Sequence, residues 1–434
     1  MAAARGRSQI AEKEHTQPLY ERVIGRRPLP KIDRSALIAD FTGDIPPPHT
    51  YWRLHLLKWS TMKYANALIV CIALVAAGQS ARVAAQSADG SLSAARMVAA
   101  ATDLLASLDA GQRDTVLFPL QGEARTNWSN TPPHVHPRPG LRIGALSDAQ
   151  RVRVHDLLRA SLSSQGYQKV AGVMRLDDVH RARTLETLPA DASAYTRAVS
   201  ESFGSASYAL AIFGDPRTHA EWAWLLQGHH LGASFTVAGE RVGFTPLFLG
   251  AGPLEVDRGP DIGWSAMSYE LSLGADLAAS LTPAQLEAAL SPEDVPGDVV
   301  NGVGKKRRLT EAEGLKASEM SSAQQSLLRR LVEEYVRNAN PAAAEAQLAA
   351  IADAGWVNLW ISWRGALGDR SEDFYYRIQG ERILIECTHQ PQHMHSIVRD
   401  PANDYGENWL GLSYLEETSA ADLFAASTRR AAEE

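Results

Sequence analysis

The stretch that decides the fold covers residues 221–248 and reads EWAWLLQGHHLGASFTVAGERVGFTPLF. Apolar and polar residues alternate with a period of two, and aromatic and β-branched residues are frequent, which is typical of β-strands. The pattern predicts strands at 221–228, 232–238 and 241–248. Because Ala238-Gly239-Glu240 has the composition of a tight turn, we expect the last two strands to form an antiparallel hairpin.

Four other segments have the same strand character, at residues 206–213, 355–363, 373–379 and 382–388. Gln379-Gly380-Glu381 is a second turn-like sequence and predicts another antiparallel hairpin. An isolated hairpin is only marginally stable, so we expect the two groups of strands to share one sheet.

Four segments begin helices by the same pattern, in which an apolar residue precedes a small polar or acidic cap, two spacers and Gln. The predicted caps are Asp109, Ser147, Thr282 and Ser321. Such a cap accepts a helix N–H and the Gln three residues later reaches back to it, so capping alone explains the likeness without a tandem repeat. Together the patterns predict an α+β fold, with an antiparallel sheet built from hairpins and flanked by capped helices, in a single domain at residues 86–434.

The composition is that of a soluble globular protein, since 45% of the 434 residues are hydrophobic and 21% are charged. The net charge is −7, but residues 1–85 carry 12 Lys and Arg against 6 Asp and Glu, so the rest of the chain carries −13. A body this acidic repels phosphate backbones, which argues against a nucleic-acid partner. A small molecule is the expected substrate or ligand, and the oligomeric state is left open.

Residues 62–85 have the three parts of a secretory signal peptide. Met62-Lys63-Tyr64 is followed by an apolar run from Ala65 to Gly78 and by Val83-Ala84-Ala85. The run is too short to span a bilayer comfortably, so we expect cleavage before Gln86 and a periplasmic or secreted protein with no membrane contact after cleavage.

Two interpretations of the preceding segment are open, because residues 1–61 are either an over-extended start or the cytoplasmic tail of a signal anchor. For the apolar run itself, the alternative to a signal peptide is a buried core helix at residues 65–77. Cleavage would leave Cys387 as the only cysteine, so the exported protein would have no internal disulfide.

The candidate chemistry lies in clusters of histidine. Glu386 ends an apolar strand, where a carboxylate needs a partner. His393 and His395 share one face if their segment is extended, as two metal ligands would, whereas His229 and His230 would point to opposite faces of a regular strand. The pattern predicts that Glu386, His395 and one of His229 or His230 converge on a metal.

A Pro-rich loop contains two more histidines, His134 and His136, and is expected to be a surface strap. The metal would be a divalent transition metal, Zn, Fe or Cu, because imidazole suits these better than Mg or Ca. It would serve a hydrolase or an oxidoreductase. The alternative for the whole cluster is that the histidines only make hydrogen bonds in the core.

Tryptophans suggest a second kind of function. Trp222 and Trp224 share one strand face, and Trp356, Trp360 and Trp363 follow one another closely in a later segment. Such rings stack on sugars or pack in cores. A non-catalytic periplasmic binding module for a sugar or a peptide is therefore the alternative function. No nucleophile elbow, phosphate loop or dinucleotide fingerprint is present in the sequence, which argues against common serine hydrolases and nucleotide-dependent enzymes.

The sequence also resembles a family of bacterial proteins, catalogued as domain-of-unknown-function family 3500, over roughly residues 95–415. The resemblance rests on the following segments: Asn127-Trp128, Arg138-Pro139-Gly140-Leu141, Leu157-Leu158-Arg159-Ala160-Ser161-Leu162-Ser163 with Gly166-Tyr167, Gly228-His229-His230-Leu231, Tyr376-Arg377-Ile378-Gln379-Gly380, Ile385-Glu386, His393-Met394-His395-Ser396, Arg399-Asp400-Pro401 and Asp404-Tyr405-Gly406.

The resemblance implies a characteristic polar set but no activity. The set consists of His229, His230, Glu386, His393, His395, Arg399 and Asp400. Within it, Arg399 would bind an anionic substrate and Asp400 would orient a ligand histidine, unless the two only form local ion pairs at a strand end. In one departure from the pattern, Ser129 follows the motif Trp where the family tends to have His, so that position of the site is either altered or completed from the Pro-rich loop.

Overall fold

The computed structural model describes residues 90–132, 134–303, 311–367 and 371–412. The predicted signal peptide and the segment before it lie outside these ranges and stay predictions. The described residues form an α+β fold, which confirms the predicted class. None of the described helices combines the length and the apolar character that crossing a membrane requires.

Ten helices are present in the described part of the chain. They are α1 (residues 90–107), α2 (Ala110–Val116), α3 (Asp148–Ser161), α4 (Ser164–Glu186), α5 (Ala194–Ser202), α6 (Ser268–Ser280), α7 (Pro283–Ala289), α8 (Ser322–Val336), α9 (Pro341–Ala354) and α10 (Glu407–Leu410).

The described strands form one sheet. They are β1 (Leu117–Phe118), β2 (Leu141–Arg142), β3 (Ala209–Phe213), β4 (Glu221–Gly228), β5 (Leu231–Ala238), β6 (Arg241–Gly243), β7 (Leu247–Ala251), β8 (Leu315–Lys316), β9 (Trp360–Gly365), β10 (Phe374–Gly380), β11 (Ile383–Gln390) and β12 (His393–Arg399). The order is β1-β3-β4-β5-β7-β12-β11-β10-β9-β8, with β2 on β3 and β6 on β5. The strands are antiparallel except that β1 runs parallel to β3.

Both predicted hairpins form, but one predicted strand is broken. Residues 241–248 divide into β6 and β7, because Pro246 lies between them and has no N–H for the ladder. Only β6 completes the hairpin at Gly239, whereas β7 pairs with β5 and β12 at the centre of the sheet. The prediction at 355–363 is wrong at its start, where Trp356–Asn358 form a 3-10 helix before β9.

All four predicted caps are capping boxes in the structure. Their glutamines also bind one another in pairs. The side-chain amides of Gln112 and Gln150 exchange hydrogen bonds of 3.3 and 2.8 Å, and those of Gln285 and Gln324 exchange bonds of 3.2 and 2.9 Å. The helix-start pattern therefore recurs as two equivalent pairs.

This recurrence belongs to a duplication of the whole architecture, so the expectation that capping alone explains the likeness needs correction. Residues 90–251, the first half, and residues 268–399, the second half, repeat one order of elements. Each half has two helices, a two-residue strand, a 3-10 turn, two further helices and four main strands, β3, β4, β5 and β7 in one half and β9, β10, β11 and β12 in the other. The first half additionally contains β1, α5, β6 and a 3-10 turn at Glu123–Arg125.

The two halves meet about a pseudo-two-fold axis. The last strands of the halves, β7 and β12, pair antiparallel in the middle of the sheet. A second contact joins the helix layers, where Ser163 N–H donates to the Asn338 carbonyl at 3.1 Å and Asn340 N–H donates to the Ser161 carbonyl at 3.0 Å. Ser163 and Asn340 are the N-caps of the equivalent helices α4 and α9.

The two faces of the sheet differ in chemistry. One face carries Trp222, Trp224 and other apolar residues, which pack with most of the helices into the main core. The opposite face, here called the polar face, buries Glu386, Arg377 and Arg399. Residues 118–132 and 298–303 cover part of the polar face through a smaller apolar cluster around Trp128 and Val299. These two covering segments follow the equivalent helices α2 and α7, and they frame the candidate site.

Candidate metal centre

Three histidines converge where the halves meet. His230 lies in the turn between β4 and β5, and His393 and His395 are at the start of β12. One ligand atom from each ring lies within 4.8 Å of the others, and the Nε2 atoms of His230 and His393 are 2.9 Å apart. Two nitrogens bound to one tetrahedral zinc are about 3.3 Å apart, given bonds of about 2.0 Å, so the rings are close to the spacing that a shared ion requires. We call this group the histidine triad.

Glycine makes room for the triad. An added Cβ at Gly250 would lie 2.8 Å from Cδ2 of His395 and 3.1 Å from Cδ2 of His230. At Gly252 it would lie 2.9 Å from Cε1 of His230 and 3.0 Å from Cδ2 of His393. Real Cβ atoms essentially never come closer than 3.0 Å to such neighbours. The three imidazoles therefore occupy space that side chains on β7 and just after it would fill.

A carboxylate orients His395. Its Nδ1 lies 2.8 Å from Oδ1 of Asp298, and the other oxygen of Asp298 accepts a hydrogen bond of 3.0 Å from the Asn130 side chain. The Nε2 atom of His395 is buried and has no hydrogen-bond partner among the residues that the structure describes. Metal-ligating histidines ordinarily have this arrangement, with one nitrogen on a carboxylate and the other directed at the ion.

The surroundings keep two of the rings neutral. Burial, reinforced by the neighbouring imidazoles, lowers the pKa of His393 to about 4 and holds the pKa of His230 well below its usual value. A neutral imidazole is the form that binds a metal. His230 also has a φ of 65°, which is uncommon for a residue with a side chain and places its ring in the cluster.

His229 turns to a different partner. Its ring stacks on that of His230 with centroids 3.8 Å apart, and its Nδ1 lies 2.6 Å from Oδ1 of Asp177 on α4. Asp177 is fully buried, and its other oxygen accepts a hydrogen bond of 2.8 Å from the Gly204 N–H. The Tyr208 hydroxyl donates to the His229 carbonyl. A buried carboxylate therefore fixes a partly exposed imidazole beside the triad.

Glu386 has another task. It lies on the polar face but is not a member of the triad group. Its oxygens accept hydrogen bonds from the Val300 N–H at 2.5 Å, the Asn301 N–H at 2.9 Å and the Tyr375 hydroxyl at 2.9 Å. Glu386 thus fastens the covering segment that carries Asp298 to the sheet.

Arg399 and Asp400 lie at the opposite end of β12 from His393. Arg399 is buried and donates to Asp404 at 2.6 Å and to the carbonyls of Asn301 and Gly302 at 2.8 and 3.0 Å. Asp400 forms a two-point ion pair with Arg382, at 3.1 and 2.7 Å. The local ion pair that the sequence left open is therefore present. Asp298, not Asp400, orients a histidine of the triad.

The Pro-rich loop is only partly the expected surface strap. His134 is exposed, but His136 is 4% exposed and burial lowers its pKa to about 4. Neither belongs to the triad group. Ser129, which follows the motif Trp where the family tends to have His, is not part of the triad group. Its backbone N–H donates to the side-chain oxygen of Gln227 at 3.1 Å.

The five tryptophans that the sequence singled out do not form an exposed row. Trp222 and Trp224 are fully buried in the main core, and Trp363 is 2% exposed. Trp356 and Trp360 are half-buried.

Comparison with known proteins adds one match. The profile of a family described as "Protein of unknown function (DUF3500)" matches residues 91–407. The chain belongs to this family. No curated protein and no solved structure matches the chain. The resemblance inferred from the motifs is confirmed, and the family's description gives no activity, so the function has to be inferred from the site.

Sequence reasoning missed Asp177, Asp298 and Asn130. Each comes from a segment distant in sequence from the histidines, and none stands in a recognisable motif. For Asn130 and Asp298, the available signal is that each lies in a covering segment that follows one of two equivalent helices. This signal becomes visible only once the duplication is recognised.

Proposed function

We propose that this protein is a metal-dependent enzyme whose centre is the histidine triad. The observation that carries the proposal is the convergence of His230, His393 and His395, each with a ligand atom within 4.8 Å of the others, together with a buried Nε2 of His395 that has no hydrogen-bond partner among the described residues. A buried polar atom without a partner costs free energy, and an ion bound by all three rings would remove that cost.

The ligand set favours a divalent transition metal. Three neutral imidazoles suit Zn, Fe or Cu, whereas Mg and Ca prefer oxygen ligands. Three protein ligands leave a coordination position for water or substrate, where the metal would act as a Lewis acid or lower the pKa of a bound water. We therefore assign hydrolysis of a small-molecule substrate as the reaction class.

His229 and Asp177 supply the proton chemistry of this proposal. Since Asp177 holds Nδ1 of His229 at 2.6 Å, Nε2 is the nitrogen left for a reacting group. A carboxylate that orients an imidazole is the arrangement of general acid–base catalysis. Export through the predicted signal peptide is part of the same proposal, and the N-terminal sequence of the protein recovered from the periplasm or medium tests it.

Metal analysis tests the centre directly. Protein purified without a metal-binding tag is measured by mass spectrometry of its elements, alongside H395A, H230A and the control H219A, which changes an exposed histidine outside the triad. We expect about one transition-metal ion per chain in the wild type and the control, and a loss of at least about tenfold in the triad variants. A wild type that neither contains nor takes up Zn, Fe or Cu would overturn the proposal.

A further inference from the structure

A cavity of about 700 Å³ lies in the second half, at the place that corresponds to the histidine site of the first half. In the first half, the turn after Gln227-Gly228 contributes His229 and His230. In the second half, the turn after Gln379-Gly380 contributes Glu381 and Arg382, which line the cavity. The duplicated architecture thus has two equivalent places, and they carry different side chains.

The cavity is distant from the triad. Arg399 lines it and His395 belongs to the triad, and these residues are four apart on the extended strand β12, which is roughly 13 Å. The triad histidines do not line the cavity. A ligand bound here would therefore not touch the metal centre.

The ionic groups in and behind the wall are compensated. Arg399 pairs with Asp404 at 2.6 Å, and Arg382 pairs with Asp400 at 2.7 Å. Among the lining residues that the structure describes, the remaining charges are one of each sign, Lys316 and Glu381. Since burying an unpaired charge is costly, a wall of nearly zero net charge favours a neutral ligand over an anion or a cation.

The rest of the lining is suited to hydroxyl groups and an apolar face. Asn358 and Gln379 line the cavity with side-chain amides, and an amide has both donor hydrogens and an acceptor oxygen, as a hydroxyl requires. One hydrogen of the Asn358 amide is donated to the Ala354 carbonyl at 2.9 Å, which leaves its second hydrogen and its oxygen for a ligand. The half-buried ring of Trp360 gives a flat wall, with the Lys316 ammonium 5.8 Å from its centroid. The cavity size falls within the usual range for small-molecule sites of about 300–1,000 Å³.

We propose that this cavity is a second ligand site, which binds a neutral polyhydroxylated molecule of the size of a mono- or disaccharide. Trp360 contacts the C–H face of the ligand, and the amides of Asn358 and Gln379 bind its hydroxyls. The site is independent of the metal centre, so the triad variant H395A retains it.

Saccharide titration tests the proposal. The purified protein is titrated with D-glucose, D-galactose, D-mannose, cellobiose and maltose, with acetate and methylammonium as charged probes, and binding is followed by saturation-transfer NMR. We expect at least one saccharide to bind in the millimolar range, with an affinity at least about tenfold lower in W360A. W356A is the matched control, because Trp356 is half-buried nearby but does not line the cavity.

Thermal unfolding of each variant shows whether it is folded, and N358A, at an exposed lining residue, provides a second test if W360A unfolds. The proposal is overturned if none of the saccharides binds, if binding is unchanged in W360A or N358A, or if only a charged probe binds. Loss of binding in H395A would also overturn it, because the ligand would then depend on the metal centre.

Discussion

The substitution Gly252→Ala should weaken metal binding while the metal-free protein stays folded. Its Cβ would lie 2.9 and 3.0 Å from carbons of the His230 and His393 rings, and ordinary contact begins at 3.4 Å. Each ring would have to move by about 0.4–0.5 Å, whereas metal–ligand distances tolerate about 0.2 Å. We expect a 10- to 100-fold loss of zinc affinity, the range typical of disturbed ligand orientation, which is about 1.4–2.7 kcal/mol.

Competition with a chromophoric chelator measures this affinity, and thermal unfolding without metal measures the fold. The matched control is Gly297→Ala, because Gly297 is exposed and an added Cβ there would meet nothing within 4 Å, although the residue directly precedes Asp298. The reasoning is refuted if folded G252A binds zinc as tightly as the wild type, or if G297A loses the same affinity.

Three further experiments have definite expected outcomes. Asp298→Asn should lower zinc affinity by about 10- to 100-fold in the chelator assay with little change in the metal-free unfolding temperature, and an unchanged affinity would mean that Asp298 does not orient His395. Cys387, whose pKa burial raises to about 12, should not react with a thiol reagent at pH 8 until denaturant is added, and rapid reaction of the folded protein would contradict its burial. The metal-free protein should lose stability to urea as the pH falls from about 6.5 to 4, because burial lowers the pKa values of His136 and His393 to about 4 and the unfolded chain then binds more protons. Burial raises the pKa values of Asp400 and Glu334, which acts in the opposite direction, so a urea midpoint that is constant or rises toward pH 4 would show that the histidines do not dominate.

Local physics made part of this structure predictable. The caps Asp109, Ser147, Thr282 and Ser321 each form the predicted box, because a capping box needs only residues three apart in the chain. The two hairpins were also predictable, because a hairpin too depends on residues that are close together in the chain. The spacing of His393 and His395 correctly predicted two rings on one face, since side chains two apart on a strand point the same way.

The hydrogen-bond and strand partners that depend on tertiary contacts were not predictable from the sequence. Glu386 needed a buried partner, as expected, but it found backbone N–H groups of a covering segment where the sequence suggested a metal. His229 and His230 divide between Asp177 and the triad because a turn, with His230 at positive φ, separates their rings. After the break at Pro246, β7 pairs with β5 and β12 at the centre of the sheet, and the period-two pattern does not predict that pairing.

The pseudo-two-fold axis has a consequence for how such a site can arise. In an assembly of two identical chains with this symmetry, a mutation changes the same position in both copies at once. In one continuous chain the corresponding turns are free to diverge, and here one reads His229-His230 and the other Glu381-Arg382. The triad takes His230 from the first half and His393 and His395 from the second, so neither half alone contains it. An ion held by these rings would be a cross-link between the two halves of the duplicated chain.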